Sequence, residues 1–293
     1  MDIRRVARPP TAMSPAGLPS WRPMSAEPSP RPRPAVAGEL ALVAFLLFGY
    51  DRAAAVANVD WPDGVSNARV LLALERSLHL AVESSLNRAV AAHHRLGQVL
   101  SVYYDFAHGT VTFGVLLVLY VNHASGYRPA RRALVAVNGI GLIVFVVLPM
   151  APPRLLPGAG FVDVVAGSGT WGAWEAATST VGQHANQYAA MPSLHVAWAT
   201  WVLQVAWTAR ASGPVRTLAA THLLVTIGIV LATGNHYVLD VVAGATVATV
   251  SWTVASMSWW DLVPPEGRRP ADPVPPDVVP PDVVSAVRSP SPG

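Results

Sequence analysis

The sequence predicts an all-α integral membrane protein: a six-transmembrane-helix bundle with an additional interfacial amphipathic helix and disordered tails. Three observations predict this fold class. Of the 293 residues, 52% are hydrophobic and only 13% are charged, whereas about a quarter of the residues are charged in soluble domains. The charges concentrate in the two ends of the chain and in short connectors. The apolar runs between them are about as long as a helix needs to cross a ~30 Å hydrocarbon core.

This composition excludes several classes of protein. The chain contains no cysteine, so disulfides, thiolate metal sites and cysteine nucleophiles are impossible. All twenty basic residues are arginine, which excludes a lysine Schiff base. The net charge of +3 reflects basic tails and loops beside a membrane, and we do not interpret it as a nucleic-acid surface. A cytosolic enzyme, a nucleic-acid module and a secreted disulfide scaffold are therefore excluded.

The two ends of the chain differ from its middle. Residues 1–37 are rich in Pro, Ser and Arg and contain no continuous apolar run typical of a signal peptide. Residues 261–293 repeat Val, Pro and Asp. Neither composition can bury enough apolar surface to fold. We predict two disordered cytoplasmic tails around a membrane domain at 38–260.

Six candidate spans lie between the tails. The first is the weakest, because Asp51 and Arg52 interrupt it, but adjacent opposite charges can pair or reach the interface. The predicted spans are 38–57, 98–121, 132–150, 190–209, 215–233 and 237–260. Segment 66–95 alternates leucines with charged residues, which predicts an amphipathic helix, or a pair, on the membrane surface. A seventh span is the alternative, and the charges argue against it.

Arginine placement predicts the orientation. With the N-terminus inside, the inner segments carry fourteen arginines and the outer segments five, as the positive-inside rule expects. Both termini are then cytoplasmic. In this topology three polar clusters lie on the outer side: the end of the third span (149–154), the start of the fourth (190–195) and the hairpin 233–240.

These clusters contain the side chains of a phosphoryl-transfer site. Pro192 suits the first turn of a helix, so that free amides near Ser193 can bind an anion. The guanidinium of Arg154 matches phosphate oxygens, although it could also be a membrane-interface anchor. His236 and Asp240 are four residues apart, on one face of a helix, so Asp240 can orient the imidazole.

Two histidines then have complementary tasks. His236 is free to attack phosphorus, and His195 is free to protonate the departing alkoxide. Asp105 and His108 are ionisable groups inside a span, which suits either a substrate pocket or helix packing. Glu75 is either on a solvated face of the surface helix or part of a lid over the pocket.

The pairing of Pro192-Ser193-x-His195 with His236-Tyr-x-x-Asp240 resembles the type 2 phosphatidic acid phosphatase superfamily of membrane enzymes. More closely, the chain resembles the inositol phosphorylceramide synthase-like (inositolphosphotransferase) branch. The motifs shared with that branch are Pro149 to Arg154, Asn186 to His195 and Gly234 to Asp240, together with Glu75, the Tyr104-x-x-x-His108 pair and the loop from Tyr127 to Arg132.

The resemblance implies a six-helix bundle and a covalent phosphohistidine intermediate. It assigns His236 as nucleophile, Asp240 as its orienting partner, His195 as general acid and Arg154 as phosphate ligand. No metal and no cofactor are expected. The residues expected to bind substrate are Arg154, Ser193, Asn186, Tyr188, Asn235, His108, Asp105 and Glu75. The implied partners are a membrane phospholipid and an acceptor, either a lipid alcohol or water, at the outer face of the plasma membrane.

Two departures from the broader superfamily narrow the expected substrate. The lysine of its first motif is absent, and Ile229-Val230 replace a Ser-Arg pair. Fewer cations neutralise a monoester dianion less well, so a phosphodiester with one charge less is the better match. This favours transfer of a phospho-head group such as inositol phosphate. The alternative is hydrolysis of a lipid phosphate monoester. Two alternatives belong to other functional classes. A transporter that relays protons through His and Asp would be expected to show internal repeats, and the sequence has none. A non-catalytic membrane scaffold would have no need for the two histidines and the aspartate.

Overall fold

The structure, a computed structural model, describes residues 34–57, 61–122, 124–170 and 189–257. The described residues form helices joined by loops, and the one β-type contact among them is an isolated parallel bridge between Met150 and Ala189. The predicted tail 261–293 and most of the tail 1–37 lie outside the described residues. The helices are α1 (Val36–Ala57), α2 (Trp61–Ser77), α3 (Glu83–Ala91), α4 (His94–Asn122), α5 (Ala124–Val147), α6 (Val164–Ser168), α7 (Leu194–Thr208), α8 (Gly213–Ala232) and α9 (Val238–Ser256).

Four helices of the described part are long and apolar enough to cross a membrane. They are α4, residues Gly126–Val147 of α5, α8 and α9. They coincide with the predicted spans 98–121, 132–150, 215–233 and 237–260. The first predicted span falls on α1, where the apolar stretch Val36–Leu46 is shorter. The chain therefore has a helical membrane fold, and the count of six spans is not confirmed.

Helix α7 occupies the predicted span 190–209 but is shorter than predicted. Its 15 residues extend only about 22 Å, which is less than the ~30 Å hydrocarbon core. Eight of them are buried, because α7 packs among α4, α5, α8 and α9. The indole N–H of the fully buried Trp201 donates to the carbonyl of Ala130 on α5, at 2.8 Å. Helix α7 is thus the central helix of the bundle.

The segment predicted to lie on the membrane surface forms the pair α2 and α3. Four of its leucines are exposed, as expected for contact with a membrane surface, at 37–52%: Leu74, Leu78, Leu80 and Leu86; Leu71 and Leu72 are buried against the bundle. The expectation that Glu75 lies on a solvated face is wrong. Glu75 and Glu83 are fully buried and face the protein. Alternation along the sequence located the helices, but it did not show that these two acids are buried.

The N-terminal end of α7 approaches the second turn of α9 so closely that only glycine fits at residue 244. A methyl group on Gly244 would lie 2.2 Å from the carbonyl oxygen of Ser193. We expect Gly244→Ala to lower the free energy of unfolding by about 1–3 kcal/mol, as overpacking does. Thermal unfolding in detergent measures this.

The matched control for Gly244→Ala is Gly139→Ala in α5, where nothing lies within 4 Å of an added methyl group. Alanine is favoured over glycine inside helices, so this control should unfold at the same temperature as the parent protein or slightly above it. Equal stability of the two variants would contradict the close approach of α7 and α9.

Candidate active site

Polar groups from four parts of the chain line one end of a cavity of about 690 Å³. They come from the loop after α5, the start of α7, the α8–α9 hairpin and the first half of α4. The polar and aromatic side chains at this end are His195, His236, Arg154, Asn235, His108 and Tyr104. The structure therefore brings together five residues predicted for the site from distant parts of the sequence, and Tyr104 joins them.

The α8–α9 hairpin presents His236 through a tight turn. The backbone N–H groups of Asn235 and His236 both donate to the carbonyl of Val230, at 3.1 and 3.2 Å. Gly234 has a φ of +74°, a conformation that glycine adopts without steric cost. Any side chain there would also meet the amide nitrogen of Asn87 at 3.0 Å. Glycine is thus required to place His236 at the cavity.

The environment of His236 fixes its tautomer. Its Nδ1 lies 2.8 Å from the carbonyl oxygen of Ala190. A carbonyl only accepts hydrogen bonds, so Nδ1 carries the proton and donates it. In the neutral ring the lone pair then lies on Nε2. The side chain is only 5% exposed, so this nitrogen is held in a desolvated position. A nucleophilic imidazole needs such a lone pair.

Asp240 supports His236 differently from the way the sequence predicted. Helix α9 begins at Val238 with Tyr237 as N-cap, so His236 precedes the helix, and the predicted placement of the pair on one helical face is wrong. The Oδ2 atom of Asp240 lies 3.6 Å from Nδ1 of His236, which is too long for a hydrogen bond. The same oxygen accepts from the N–H of Tyr237 at 2.9 Å. Asp240 thus holds the turn and places a buried carboxyl beside the imidazole, while the carbonyl of Ala190 orients the ring.

His195 lies in a cluster of rings beside His236. The two imidazole centroids are 5.8 Å apart. Tyr104 stacks on His195 at 4.3 Å, and His108 contacts it edge-on at 4.1 Å. Nδ1 of His108 donates to the carbonyl of Tyr104 at 2.9 Å, which fixes the His108 ring. Among the described residues Nε2 of His195 has no hydrogen-bond partner, so this buried nitrogen can exchange a proton with a ligand.

Arg154 is oriented by two side chains. One guanidinium nitrogen pairs with the amide oxygen of Asn235, and Nε lies 3.3 Å from Oδ2 of Asp163. Its backbone N–H also donates to the carbonyl of Gly234 at 2.8 Å, which ties the 149–154 loop to the hairpin. Because Arg154 is buried in the cavity wall, the interpretation as a membrane-interface anchor does not fit its position.

Sequence reasoning missed two residues that shape this end of the cavity. Asp163 caps α6 through the N–H of Ala166, at 2.9 Å, while its other oxygen contacts Arg154. An Asp before an apolar run signals a helix N-cap, but nothing signals the arginine. The fully buried Asn87 donates to the carbonyls of Val162 and Ala232, at 2.9 and 3.1 Å. Asn87 thus joins α3 to the loop between α5 and α6, which contains Val162, and to the end of α8.

Two predicted substrate ligands have structural partners and do not line the cavity. Ser193 is the N-cap of α7: its hydroxyl accepts from the N–H of Val196 at 3.4 Å, and its own N–H donates to the carbonyl of Asp240 at 3.1 Å. The predicted anion site at these amides is therefore partly occupied by the protein. Pro192 precedes the cap instead of opening the helix. Glu75 accepts from the N–H of Leu239 at 2.6 Å, so it caps α9.

The remaining predicted residues are placed as follows. Asp105 is half-buried on α4, between Tyr104 and His108, and is not among the residues that line the cavity. Asn186 and Tyr188 lie outside the described residues. Within the described ranges no group of three or more His, Asp or Glu side chains has the arrangement of a metal site. The expectation that the enzyme works without a metal stays a prediction.

The buried carboxyl of Glu75 makes stability depend on pH. Burial, opposed by its hydrogen bond to Leu239 and assisted by the charges of Glu83 and Asp240, raises the pKa of Glu75 to about 7. Burial likewise raises the pKa of Glu83. A carboxyl with a raised folded-state pKa stabilises the protein fully below its unfolded pKa, and this stabilisation is lost as the pH rises towards 7. Stability should therefore fall between about pH 4.5 and pH 7.

Glu75→Gln should weaken this pH dependence, because an amide oxygen can still accept from Leu239 and no charge develops. We expect the difference in unfolding temperature between pH 5 and pH 8 to shrink by several degrees, measured in detergent. Asp63→Asn is the matched control, since Asp63 is exposed on the same helix and should leave the difference unchanged. A Glu75→Gln variant with the full pH dependence would refute a titrating role for Glu75.

Comparison with known proteins gives two matches. A family model described as the PAP2 superfamily matches residues 69–254, which cover α3 to most of α9 and every described polar residue at the cavity end. Phosphoinositol dihydroceramide synthase of Bacteroides thetaiotaomicron is 28% identical over 151 residues, which are 48% of this chain and 49% of that protein. The chain thus matches about half the length of this curated relative. No solved structure matches the chain.

Proposed function

The chain belongs to the PAP2 superfamily and is a phosphotransferase or phosphatase, and from this premise we propose that it transfers a phospho-head group between lipids. The donor is a membrane phosphodiester lipid such as an inositol phospholipid, and the acceptor is a lipid alcohol. His236 forms a covalent intermediate with the phosphorus. The relative's name, a phosphoinositol dihydroceramide synthase, supports the class of reaction.

One observation carries the proposal: two imidazoles lie 5.8 Å apart at one end of a cavity that also contains a guanidinium. A phosphorus atom between the rings can be within reach of both. Nδ1 of His236 is occupied by Ala190, which leaves Nε2 for attack. Nε2 of His195 is unpartnered within the described part of the chain, which leaves it for proton transfer. The two roles fall on two different rings.

The first step breaks the bond between phosphorus and the donor lipid's oxygen. Nε2 of His236 attacks phosphorus, and the leaving alkoxide takes a proton from protonated His195. The products are a diacylglycerol and an inositol-phosphoryl group on His236. In the second step neutral His195 removes the proton of the acceptor hydroxyl, whose oxygen attacks the same phosphorus. His236 then leaves as a neutral ring, and His195 is again protonated.

The charges at the cavity fit a phosphodiester. Within the part of the chain that the structure describes, Arg154 is the arginine at the histidine end of the cavity. Its partner Asn235 adds a side-chain amide that can donate hydrogen bonds there. A phosphodiester brings one negative charge to this site and a monoester dianion brings two, and Arg154, which also contacts Asp163, offers little compensation for a second charge in a desolvated site. This favours transfer of a head group over hydrolysis of a lipid monoester such as phosphatidate.

The enzyme's placement in the membrane is also part of the proposal. We place it in the plasma membrane with six spans, in which α1 and the short α7 complete the four long apolar helices. Both termini are cytoplasmic, supported by fourteen arginines on the inner segments against five on the outer ones. The histidine end of the cavity then faces the extracytoplasmic side.

Purified protein incubated with phosphatidylinositol labelled in the inositol, with and without a ceramide or diacylglycerol acceptor, tests the function. We expect label in a new lipid only when the acceptor is present. Phosphatidate in parallel should release little inorganic phosphate. Rapid, acceptor-independent release of phosphate from phosphatidate would instead show a monoester phosphatase, and the absence of both products would refute the proposal.

A further inference from the structure

The cavity continues far beyond the histidines, as an apolar slot between α1, α4 and α5. Its walls are aliphatic and aromatic side chains of the three helices. The residues that line this slot are Leu40, Val43 and Leu46 of α1, Phe113, Leu116 and Leu117 of α4, and Leu134, Val135 and Leu142 of α5. The slot opens at one end onto His108, His195 and Trp198, so it is continuous with the candidate active site.

The slot is longer than one leaflet of a bilayer. His108 and Tyr120, which are twelve residues apart on α4, both line it. Twelve residues of α-helix rise about 18 Å, whereas half of a ~30 Å hydrocarbon core is about 15 Å. A hydrocarbon chain with its polar end at the histidines would therefore cross the middle of the membrane before it reached the other end of the slot.

A cluster of polar side chains closes the far end, and we call Glu39, Tyr127 and Arg131 the polar floor. The hydroxyl of Tyr127 donates to Glu39 at 2.7 Å, and Arg131 forms an ion pair with the same carboxylate. The carboxylate and the guanidinium are only 15% and 27% exposed. Beside them the hydroxyl of Tyr120 donates to the carbonyl of Pro34 at 2.9 Å. The floor is therefore fixed by its own hydrogen bonds.

We infer that the slot holds one hydrocarbon chain of the lipid substrate and that the polar floor sets the longest chain that fits. The identity of the occupant depends on the proposed function. Apolar walls accept a chain from the bilayer because it moves from one apolar environment to another, and each added methylene gains dispersion contacts along the walls. A methyl group that reaches the ion pair would have to separate it or turn back, and a separated buried pair is costly.

The geometry gives an approximate length. Carbon–carbon bonds of about 1.5 Å at angles near 111° advance an extended chain by about 1.25 Å per carbon. About 14 carbons therefore span the ~18 Å between His108 and Tyr120. Substrate preference should rise with chain length up to about this value and fall for longer chains.

Photolabelling tests the occupant without using catalysis. The probe is phosphatidylinositol with a diazirine on the last carbon of a 14-carbon chain, applied to the His236→Ala variant in detergent. We expect labelled peptides from α1 and α5 near the polar floor. Leu116→Trp fills the slot and should reduce this labelling at least fivefold, while Val118→Trp, on the outer face of α4, should not. Equal labelling in the two tryptophan variants would overturn the slot as the binding place.

A chain-length series tests the floor. With acyl chains of 10 to 20 carbons we expect kcat/KM to rise up to about 14 carbons and to be several-fold lower at 18. The double variant Glu39→Leu/Arg131→Leu keeps the net charge and should move the maximum to longer chains. A flat profile in the parent enzyme, or an unmoved maximum in a folded double variant, would overturn the floor as the determinant. If the probe labels the slot but the parent enzyme transfers no head group, the proposed function is refuted and the inference about the slot is not. If the parent enzyme transfers the head group but the probe does not label the slot, only the inference about the slot is refuted.

Discussion

His236→Ala is expected to lower the rate of head-group transfer by at least about 10⁴-fold, because the variant has no nucleophile to form the covalent intermediate. The protein should stay folded. Removal of the ring leaves the buried carbonyl of Ala190 without its donor, at a cost of about 1–3 kcal/mol in the free energy of unfolding. Initial rates with labelled phosphatidylinositol and acceptor measure the first effect, and thermal unfolding measures the second.

His222 provides the matched control for His236→Ala. It is another buried histidine, on α8, whose Nδ1 lies 2.7 Å from the hydroxyl of Tyr103, and it does not line the cavity. We expect His222→Ala to lower stability by a similar amount and to keep most of the activity. If His236→Ala retains more than a tenth of the rate, His236 is not the nucleophile, whatever the control shows.

His195→Ala is expected to lower the rate by about 10²–10⁴-fold, the usual contribution of a general acid or base. The loss should depend on the leaving group, which distinguishes lost proton transfer from lost structure. A donor with an aryl leaving group, such as a p-nitrophenyl phosphodiester of inositol, needs no protonation to depart. We therefore expect the His195→Ala variant to form the covalent intermediate from this donor at nearly the parent rate. A burst of p-nitrophenol measures this step.

The burst measurement has a clear contrary result. An equal loss of rate for the aryl donor and for phosphatidylinositol would mean that His195 binds or positions the substrate and does not protonate the leaving group. Tyr104→Phe is the control, because it keeps the ring that stacks on His195 and removes only the hydroxyl. We expect Tyr104→Phe to change the rates with the aryl donor and with phosphatidylinositol by the same factor.

Much of the membrane fold follows from the sequence, because length and hydropathy alone determine which segments can cross a bilayer. Four predicted spans coincide with long apolar helices. Helix α7 is shorter than predicted because hydropathy does not show where a helix starts: residues 190–193 of the predicted span are not helical, and the side chain of Ser193 caps the first turn. Hydropathy also cannot distinguish a residue that faces lipid from one buried in the centre of the bundle.

The candidate site was predictable where its side chains have distinctive chemistry. His195, His236, Arg154 and Asn235 occur in short motifs, and the structure places all four at one end of a cavity. The carbonyl of Ala190 orients His236, yet a backbone oxygen has no signature in the sequence. The four-residue spacing of His236 and Asp240 suggested one helical face, whereas the turn at Gly234 delays the helix until Val238.

The acids of α2 and α3 show a limit of reasoning from charge. Alternation of leucine with charge normally means a membrane-facing side and a water-facing side. Glu75 is instead buried because it accepts from the backbone N–H of Leu239 at the start of α9. A free amide at a helix N-terminus attracts a carboxylate from anywhere in the chain. Only the three-dimensional contact shows which carboxylate reaches it.

The claim that His236 carries the head group during turnover can be tested by trapping the intermediate. The enzyme is mixed with inositol-labelled phosphatidylinositol without acceptor, quenched within one turnover and digested under alkaline conditions for mass spectrometry. We predict an inositol-phosphoryl adduct on His236 that forms as fast as diacylglycerol is released and disappears when a lipid alcohol is added. An adduct on another residue, or release of diacylglycerol with no adduct on the protein, would contradict the account.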